Sequence, residues 1–526
     1  MSGCGAVMGE EEFIAALDVG TTTVKCLIFD KAARVRGQEA TPIRIEYPKP
    51  GWVEMDPDAL WYNVVYVLRG AIQDAGISPG KLRCMSITTQ RSSFLFWDAN
   101  NNTPITKIIS WKDLRAAELV RRWNTCLYIR SFRLLCKFLY SITKNKCYLS
   151  GSVLRVMNEL VVIRLLWVLE NVPGIREKIA LNQVKFGTLD TFIIHKLTNG
   201  EKHVTDFSNA CVSGFFDPFV LSYAEWALKM YRIPSSILPK LVPSCGPHFG
   251  SCRIFPGFEV PILASVADQS ASMFGSGGWG KGAVKVTLGT GAFLDVNTGT
   301  RPHSGVGGIY PLVGWKYGAE IAYIAEGQSK DNGNLVEWGR TIGLYNSVAE
   351  SSTVAESVED TNDTYFIPAF SGLQAPYNDM TATSGFFGMS PTTTKAHLAR
   401  ALLESLAFRV AQLLNILQRE ASDIEFDHIK VDGGVANNDF VLQTIADLTG
   451  KPVIRPVCRD MTALGCAFMA GVNCGFWSSR EDLLQFYRVE RIFHGVEDGV
   501  RIQVRFAEWE RALERFLKWR EIKEPS

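Results

Sequence analysis

The sequence predicts an α/β protein with two related domains and mixed β-sheets, and two observations carry this prediction. Residues 13–30 and residues 284–297 each read as two β-rich runs joined by a turn of glycine and hydroxyl residues. Strands and helices alternate between these hairpins, as they do in α/β folds. Because the same hairpin stands near the start of each half, we predict a duplicated architecture. The boundary is expected near residue 260, giving an N-terminal domain of residues 1–260 and a C-terminal domain of residues 261–526.

Length, composition and charge are those of an ordinary globular protein. The chain has 526 residues, of which 47% are hydrophobic and 21% are charged. Its 55 basic and 54 acidic side chains nearly cancel, so the overall charge attracts neither nucleic acid nor membranes. We therefore expect no nucleic-acid partner, and a homo-oligomer is compatible with these features; the small-molecule partner is expected from the motifs described below.

Cysteine usage and apolar patterning predict a cytoplasmic protein. The 12 cysteines are scattered, with no Cys-x-x-Cys pair and no zinc-like spacing, which is typical of a reducing compartment. The first residues lack the basic and apolar regions of a signal peptide. Charged residues interrupt every apolar stretch well short of ~18 residues, so no transmembrane segment is predicted.

The turn of the first hairpin is a candidate phosphate-binding element. Residues 18–25 read DVGTTTVK, and backbone N–H groups and hydroxyls in such a turn can cradle phosphate oxygens. The hydroxyl-bearing residues are Thr21, Thr22 and Thr23. Lys25 could reach a phosphate, and Asp18 could hold hydrated Mg²⁺, which takes one or two carboxylates together with phosphate and water. The structural alternative is a tight hairpin whose threonines satisfy their own backbone.

The second hairpin and a later glycine turn repeat this chemistry. Residues 288–291 read LGTG, and residues 432–434, Asp-Gly-Gly, end a strand before a helix expected from about Asn438 to Leu448. Two such hairpins could hold a polyphosphate, and glycines before a helix allow close approach of a phosphate. The turns lack the Gly-Lys-Ser/Thr of a Walker loop. Close helix–strand packing is the alternative reading of the glycine turn.

Asp268 is the candidate catalytic base. It follows the apolar strand 261–266, and ligands of α/β sheets collect at the carboxyl ends of strands. A carboxylate there could take a proton from a hydroxyl nucleophile, and Gln269 could hydrogen-bond a second hydroxyl. The alternative is that Asp268 only caps the helix that follows.

A second polar loop follows the predicted strand 85–89. Arg91 and Ser92 suit a polyol or a sugar, because hydroxyl groups accept from a guanidinium and donate to serine. A surface ion pair is the alternative for Arg91. For Asp113 and Arg115, a structural ion pair is as plausible as a substrate contact.

Two helices are predicted from periodicity and capping. Apolar residues follow a 3.6 period over residues 397–417, with Thr393 or Thr394 as the N-cap. A second helix is expected over residues 114–123, after the strand 107–110.

The segment of residues 121–155 departs from the balanced charge of the chain. It carries eight Lys or Arg residues and no Asp or Glu. A basic amphipathic surface that contacts lipid headgroups is one interpretation. We favour the other, an insertion packed on its own domain with a solvated basic face, because charge runs usually mark solvated faces.

Taken together, the motifs resemble the FGGY family of carbohydrate kinases, and glycerol kinases in particular. The match runs from about Phe13 to about Trp477. The motifs, in chain order, are DVGTTTVK, GWVEMDP, TTQRSS, SWKDLR, FGTLDT, TDFSNA, ADQSASMFG, LGTGAFLDVNTG, FSGLQAPYND, VDGGVANN and TALGCA. The resemblance implies an actin-like ATPase fold of two ribonuclease-H-like domains with a cleft between them, the substrate side in the first domain and the nucleotide side in the second. It also implies ATP, Mg²⁺ and phosphorylation of a polyol hydroxyl, with glycerol giving sn-glycerol 3-phosphate.

The resemblance also implies roles for individual residues. Asp268 matches the catalytic base, and Arg91 and Gln269 match substrate contacts, with Ser92 in the same loop. The positions that match nucleotide contacts are Thr21, Thr22, Thr23, Lys25, Thr290, Gly333, Gly434 and Asn438.

The substrate side departs from the glycerol kinase pattern. Ser92 stands where glycerol kinases have Glu, no Tyr occurs in residues 156–163, and Arg164 replaces a common Lys. Losing one charged hydrogen-bond partner costs ~1.5–3 kcal/mol, or ~10- to 100-fold in affinity. We therefore expect weakened glycerol binding, and a kinase for another polyol or a ketose, or a weakly catalytic nucleotide-binding regulator, are the alternatives.

Overall fold

The computed structural model describes residues 11–496 and 499–519, and these form two compact units. The first unit comprises the chain up to Gly277 together with Leu312–Ala322 and Asp460–Phe486. The second comprises Gly278–Pro311, Tyr323–Arg459 and the chain from Tyr487 onward. Each unit therefore draws on more than one stretch of the sequence.

The strands are numbered in chain order. They are β1 (Phe13–Val19), β2 (Thr23–Phe29), β3 (Val35–Pro42), β4 (Ile45–Glu46), β5 (Glu54–Met55), β6 (Leu82–Thr89), β7 (Phe94–Asp98), β8 (Ile108–Ile109), β9 (Val184–Thr188), β10 (Val204–Asp206), β11 (Phe216–Asp217), β12 (Ser222–Tyr223), β13 (Lys240–Val242), β14 (Ser251–Phe255), β15 (Phe258–Ala267), β16 (Val284–Leu288), β17 (Ala292–Gly299), β18 (Tyr310–Tyr317), β19 (Glu320–Ser329), β20 (Tyr365–Ile367), β21 (Gly385–Phe387), β22 (Ile429–Asp432), β23 (Val453–Pro456) and β24 (Val489–Phe493).

The α-helices are numbered in the same way. They are α1 (Pro57–Asp74), α2 (Ala117–Thr125), α3 (Leu127–Thr143), α4 (Lys146–Ser152), α5 (Val161–Asn171), α6 (Ile175–Ala180), α7 (Leu189–Leu197), α8 (Phe207–Ala210), α9 (Glu225–Tyr231), α10 (Asp268–Gly275), α11 (Gly333–Thr341), α12 (Ser351–Glu356), α13 (Lys395–Glu420), α14 (Asp439–Thr449), α15 (Met461–Asn473) and α16 (Val500–Leu513).

The main sheet of the first unit has the strand order β14-β15-β6-β1-β2-β3. β1 pairs antiparallel with β2, whereas β6 runs parallel to both β1 and β15. β1 is buried along its whole length and alternates little in polarity, as expected for a central strand covered on both faces. A smaller sheet of the same unit has the order β4-β5-β8-β7-β9.

The main sheet of the second unit has the order β18-β19-β17-β16-β22-β23-β24. β16 pairs antiparallel with β17 and parallel with β22. The core beside this sheet includes α13, which is buried on most of its surface. Both main sheets thus contain an antiparallel hairpin, and the first strand of each hairpin pairs in parallel with another strand on its other side.

The structure confirms both predicted hairpins, as β1–β2 and β16–β17. The helix predicted over residues 397–417 extends over Lys395–Glu420, with Thr394 as its N-cap. The helix predicted over residues 114–123 begins three residues later, at Ala117. Residue 260, where the domain boundary was expected, lies inside β15, and β15 pairs with β6 within the first unit.

No helix in the part of the chain that the structure describes is long and apolar enough to cross a membrane.

Candidate active site

Parallel strands of the first unit end at one edge of the main sheet. In the pairing register, Thr89 lies opposite both Val19 and Ala267, so β1, β6 and β15 end at the same level. The chain leaves this edge at Gly20, at Gln90 and at Asp268. The carboxyl ends of parallel strands are where α/β sheets bind ligands. Sheet topology therefore brings the predicted phosphate turn, the Arg91 loop and Asp268 to one place.

The turn after β1 is held by side chains of the neighbouring loops. The Gly20 N–H donates to the Thr23 carbonyl at 3.0 Å. The Thr21 hydroxyl donates to Gln90 Oε1 at 3.3 Å and accepts from Trp111 Nε1 at 3.1 Å, while Gln90 Nε2 donates to the Gly20 carbonyl at 3.0 Å. The Thr21 hydroxyl thus helps to build the turn, whereas Thr22 is exposed. Sequence reasoning missed Gln90 and Trp111 as supports of this turn.

Asp18 and Lys25 face each other across the first hairpin. Lys25 Nζ lies 3.3 Å from Asp18 Oδ2, and it also pairs with Asp460 just before α15. Burial raises the pKa of Asp18 to about 6, with Lys25 opposing the shift and Asp268 adding to it. For Lys25, burial lowers the pKa, but the carboxylates of Asp18 and Asp460 outweigh it and raise the pKa above its ordinary value. The positive charge of Lys25 therefore does not fully offset the cost of burying the ionised Asp18 carboxylate.

This carboxylate fits a hydrated Mg²⁺ ion. Mg²⁺ takes one or two protein carboxylates together with water and phosphate oxygens, so the single Asp18 carboxylate matches that set of donors. Among the described residues, no group of three or more His, Cys, Asp or Glu side chains could hold a metal. Asp460, 435 residues away from Lys25 in sequence, gave no sequence signal beyond its place before a helix.

Arg91 and Asp268 approach each other at the sheet edge. Arg91 Nε lies 4.0 Å from Asp268 Oδ1, and the Arg91 side chain is only 9% exposed. Asp268 is the first residue of α10 and Ala267 is its N-cap, so the helix-capping alternative for Asp268 is wrong. Asp268 Oδ1 accepts the Gln269 N–H at 2.8 Å, which fixes the carboxylate over the first turn of α10. Arg91 therefore does form an ion pair, but with Asp268 and through a largely buried side chain rather than on the surface.

Arg164 holds the loop that contains Ser92. Ser92 is buried and has a φ of 65°, and its carbonyl accepts Arg164 Nη2 at 2.9 Å. Arg164 also donates to the carbonyls of Ser110 at 2.5 Å and Glu159 at 3.0 Å. Burial lowers the pKa of Arg164 to about 10, which leaves the guanidinium charged at neutral pH. Arg164 therefore positions the loops on either side of the site rather than contributing to it directly.

A buried carboxylate connects the ends of β6 and β15. Asp206 accepts from the backbone and side chains of Ser208 and Asn209 and from the Ser244 hydroxyl. The Ser208 hydroxyl accepts the Ala267 N–H at 2.8 Å, and the Thr89 hydroxyl donates to Asn209 Oδ1 at 3.3 Å. This network fixes the residues directly before Asp268 and before Gln90. Sequence reasoning recorded TDFSNA only as a motif and assigned these residues no role.

Asp113 and Arg115 form a structural ion pair. Asp113 is fully buried, accepts the Val53 N–H at 2.6 Å and pairs with Arg115 Nε at 2.8 Å. Arg115 also pairs with Glu54 at 2.7 Å, and its guanidinium lies 4.0 Å from the centre of the Trp52 ring. Of the two roles that the sequence left open for Asp113 and Arg115, the structure shows the structural ion pair.

In the second unit, the turns after β16 and β22 lie side by side. Thr287 pairs with Asp432 in the parallel register, so the Thr290 turn and the glycine turn leave adjacent strands. The N-terminus of α11 docks on the first of these turns, since the Gly333 N–H donates to the Gly289 carbonyl at 3.0 Å. The predicted nucleotide positions of this unit therefore surround one group of backbone turns.

Two glycines allow these turns to approach closely. A Cβ atom on Gly433, whose φ is 88°, would lie 2.6 Å from the Leu288 carbonyl oxygen, and one on Gly333 would lie 2.7 Å from the Gly289 carbonyl oxygen. Gly434 has open space in front of it. Asn438 caps α14 by accepting the Val441 N–H at 3.0 Å, so its side chain has a structural role as well as a predicted nucleotide contact.

A buried lysine lies beneath the second hairpin. Lys285 Nζ is 3.5 Å from Asp295 Oδ2 and 3.8 Å from Asp432 Oδ2. The sequence indicates Asp432 only as the end of a strand and predicts no role for Lys285 or Asp295. Charged residues that alternate with apolar ones along β16 and β17 are expected to face solvent, so the sequence pattern does not show that Lys285 and Asp295 are buried.

Family models match both parts of the chain. Residues 13–275 match the N-terminal domain, and residues 284–474 the C-terminal domain, of the FGGY family of carbohydrate kinases. "Glycerol kinase 5" of Danio rerio is 42% identical over 518 residues, covering 97% of each chain. "Glycerol kinase 2" of Thermotoga maritima is 33% identical over 509 residues, covering 97% of this chain and 99% of that protein.

A solved structure resembles the whole chain. The crystal structure of Plasmodium falciparum glycerol kinase with ADP has a TM-score of 0.85 and 27% identity, covering 96% of this chain and 98% of that one. The predicted two-domain, actin-like ATPase fold is thereby confirmed. With both family domains present in order and relatives aligned over nearly their full length, the chain belongs to the FGGY family of carbohydrate kinases.

Proposed function

We propose that this protein is an ATP-dependent kinase that phosphorylates a hydroxyl group of a polyol, with glycerol giving sn-glycerol 3-phosphate. The observation that carries the proposal is the meeting of Arg91 and Asp268 at the strand edge that also bears the Thr21 turn. The relatives of Danio rerio and Thermotoga maritima are named glycerol kinases, and the similar solved structure is a glycerol kinase with ADP. These names support glycerol as the first acceptor to test.

Asp268 is the proposed general base. It would accept the proton of the substrate hydroxyl as that oxygen bonds to the γ-phosphorus of ATP, and ADP leaves with the electrons of the broken P–O bond. Arg91 would donate hydrogen bonds to the substrate hydroxyl groups, and Gln269 would bind a second hydroxyl. The Gln269 N–H and the network around Asp206 orient the carboxylate for this transfer.

Lys25 and the Thr21 turn are the proposed phosphate contacts. Lys25 stays protonated because of Asp18 and Asp460, so it presents a full positive charge to phosphate oxygens. Asp18 would hold Mg²⁺ directly or through water, and the bound cation would neutralise charge on the phosphate oxygens. In the second unit, the turn at Thr290, the N-terminus of α11 at Gly333, and the open face at Gly434 are proposed to bind the nucleotide.

Ser92 favours a second candidate acceptor. A neutral hydroxyl replaces the carboxylate that accepts two glycerol hydroxyls in glycerol kinases, and Ser92 is smaller than Glu. A larger polyol or a ketose is therefore the second candidate.

A substrate panel tests the proposal. Release of ADP by the purified full-length chain is measured with glycerol, longer polyols and ketoses, each over a wide concentration range. We expect saturable release with a polyol, with a KM for glycerol ~10- to 100-fold above that of enzymes carrying Glu at this position. Tight ATP binding without acceptor-dependent release for any compound would contradict the kinase and favour a regulator.

A further inference from the structure

The basic segment contains a helix, α3, that is attached to its unit by one face. Ile129 and Cys136 are buried, and the Phe132 ring stacks on Trp226 with 5.0 Å between ring centres. Arg133 is also directed inward, since its Nε donates to the Leu154 carbonyl at 2.6 Å. These contacts fix which side of α3 faces outward.

The outward face of α3 is a stripe of large apolar side chains. They are Leu127 (80% exposed), Leu134 (68%), Ile142 (65%), Phe138 (61%), Tyr128 (61%) and Leu135 (55%). Their spacings of three, four and seven residues place them on one side of the helix. Ser131 is exposed on the same face, but six large apolar side chains surround it. Isolated apolar side chains are common on protein surfaces, whereas a group of this size marks an interaction site.

Basic residues border this stripe. Arg130 and Lys137 are exposed and lie seven residues apart, so they share one edge of it. Lys144 and Lys146 follow the C-terminal end of α3, and no acidic residue occurs in residues 121–155. The segment packs on its own unit with exposed basic residues, as the sequence favoured, but a stripe of large apolar side chains that the sequence did not indicate is exposed beside them.

We propose that α3 binds the surface of a membrane that contains anionic lipids. Its apolar stripe would enter the boundary between headgroups and acyl chains, with Arg130 and Lys137 at the level of the phosphates. Antiparallel pairing of two copies through their stripes would place the basic borders together, which disfavours that arrangement, whereas an anionic bilayer complements the border in any orientation of the helix on its surface. The helix spans Leu127–Thr143, about 25 Å, and carries Arg130, Arg133 and Lys137, so it suits lying on a bilayer rather than crossing it.

Vesicle co-sedimentation of the full-length chain tests this proposal. We expect binding to vesicles of phosphatidylcholine with phosphatidylserine, little binding to phosphatidylcholine alone, and release as salt is raised. The variant Leu134→Ser/Phe138→Ser/Ile142→Ser should lose at least about 10-fold in affinity, because binding scales with buried apolar area. Arg130→Ser/Lys137→Ser should lose about fivefold for each charge removed.

A matched control separates this site from general stickiness. Leu181→Ser/Val220→Ser/Met389→Ser removes equally exposed apolar side chains elsewhere and should bind vesicles like the wild type. All altered side chains are exposed, so the thermal unfolding midpoint should change little. Absence of binding to anionic vesicles, or equal binding by the α3 variants, would overturn the proposal. So would an α3 variant that only converts a dimer to a monomer in sedimentation, which would assign the stripe to self-association. Because the readout is vesicle binding, the outcome does not depend on whether the chain is a kinase.

Discussion

Asp18 and Lys25 show how single residues acquire unusual properties at the strand edge. The hairpin register places them opposite each other, and burial then raises the pKa of Asp18 to about 6. Ser92 lies in the same region with its backbone in the left-handed conformation and its carbonyl held by Arg164. At the scale of residues, the proposed chemistry depends on which charges are buried together.

The stability cost of Asp18 is expected to depend on pH. Its folded-state pKa of about 6 lies above the ordinary value of 3.8, so the folded chain binds more protons between these values. The free energy of unfolding therefore falls as pH rises through this window, by on the order of 3 kcal/mol at most. Urea unfolding should show Asp18→Asn gaining stability relative to the wild type between pH 4.5 and pH 7.5.

An exposed carboxylate is the control for that series. Asp482→Asn, which removes an exposed carboxylate, is measured at each pH to correct for the loss of one charge. If the Asp18→Asn difference from the wild type grows no more with pH than that of Asp482→Asn, the buried carboxylate does not carry the pH dependence.

Ser92→Glu is predicted to strengthen glycerol binding. The new carboxylate would lie beside Arg91 and accept two hydroxyl groups, so the KM for glycerol should fall about 10-fold or more while kcat changes little. Ser92→Ala, which adds no acceptor, should leave the KM within about threefold. Steady-state kinetics measure both, and an unchanged KM in a Ser92→Glu protein of normal thermal stability would argue for an acceptor other than glycerol.

At the scale of elements, the site is built from the ends of strands and the turns that follow them. β1, β6 and β15 end together in the first unit, and β16 and β22 run side by side in the second. Side chains then fix the turns: Asp206 ties β6 to β15, and glycines let the turns of the second unit touch. Substitutions at Asp206 and Gly433 should therefore change the free energy of unfolding, whereas substitution at Gly434 should change nucleotide binding.

Asp206→Asn is expected to destabilise the first unit. The amide offers an N–H group where the carboxylate accepts from Ser208, Asn209 and Ser244, so buried donors lose their partner. We expect a loss of about 2–3 kcal/mol in the free energy of unfolding. Ser244→Ala removes less of the network and should cost about 1 kcal/mol. Equal losses in urea unfolding would contradict a central role for the carboxylate.

Alanine substitutions at the adjacent glycines Gly433 and Gly434 are expected to differ in their effect on stability. Gly433→Ala places a Cβ against the Leu288 carbonyl at a φ that alanine rarely adopts, so it should cost at least about 2 kcal/mol of stability. Gly434→Ala meets open space and should change stability by less than about 0.5 kcal/mol. If the nucleotide lies over this face, Gly434→Ala should nevertheless weaken ADP binding severalfold by calorimetry. Unchanged ADP affinity would remove Gly434 from the proposed site.

At the scale of the whole molecule, sequence predicts what is local and misses what joins distant segments. The hairpins, the Thr394 cap and the helix expected from about Asn438 follow from adjacent residues and are confirmed. The pairing of Lys25 with Asp460 joins residues far apart in sequence, so no local pattern indicates it. The boundary expected at residue 260 fell inside β15, because pairing with β6 cannot be read from a single strand.

The orientation of α3 is another feature that sequence alone could not settle. Its apolar and basic residues predict an amphipathic helix, but not which side packs on the protein. Phe132 and Ile129 settle that question through contacts with residues outside the segment and through burial. Identifying a membrane-binding face therefore required the three-dimensional arrangement.

The most direct test of the proposed function is the identity of the product formed by the wild type and by Asp268→Asn. Phosphorus NMR of each protein with ATP, Mg²⁺ and glycerol shows whether glycerol 3-phosphate appears, and calorimetry with ADP checks that the nucleotide still binds. We predict glycerol 3-phosphate from the wild type, and a rate at least about 10²-fold lower from Asp268→Asn with ADP affinity unchanged within about threefold. Full turnover by Asp268→Asn would contradict the assignment of Asp268 as the base and, with it, the proposed active site.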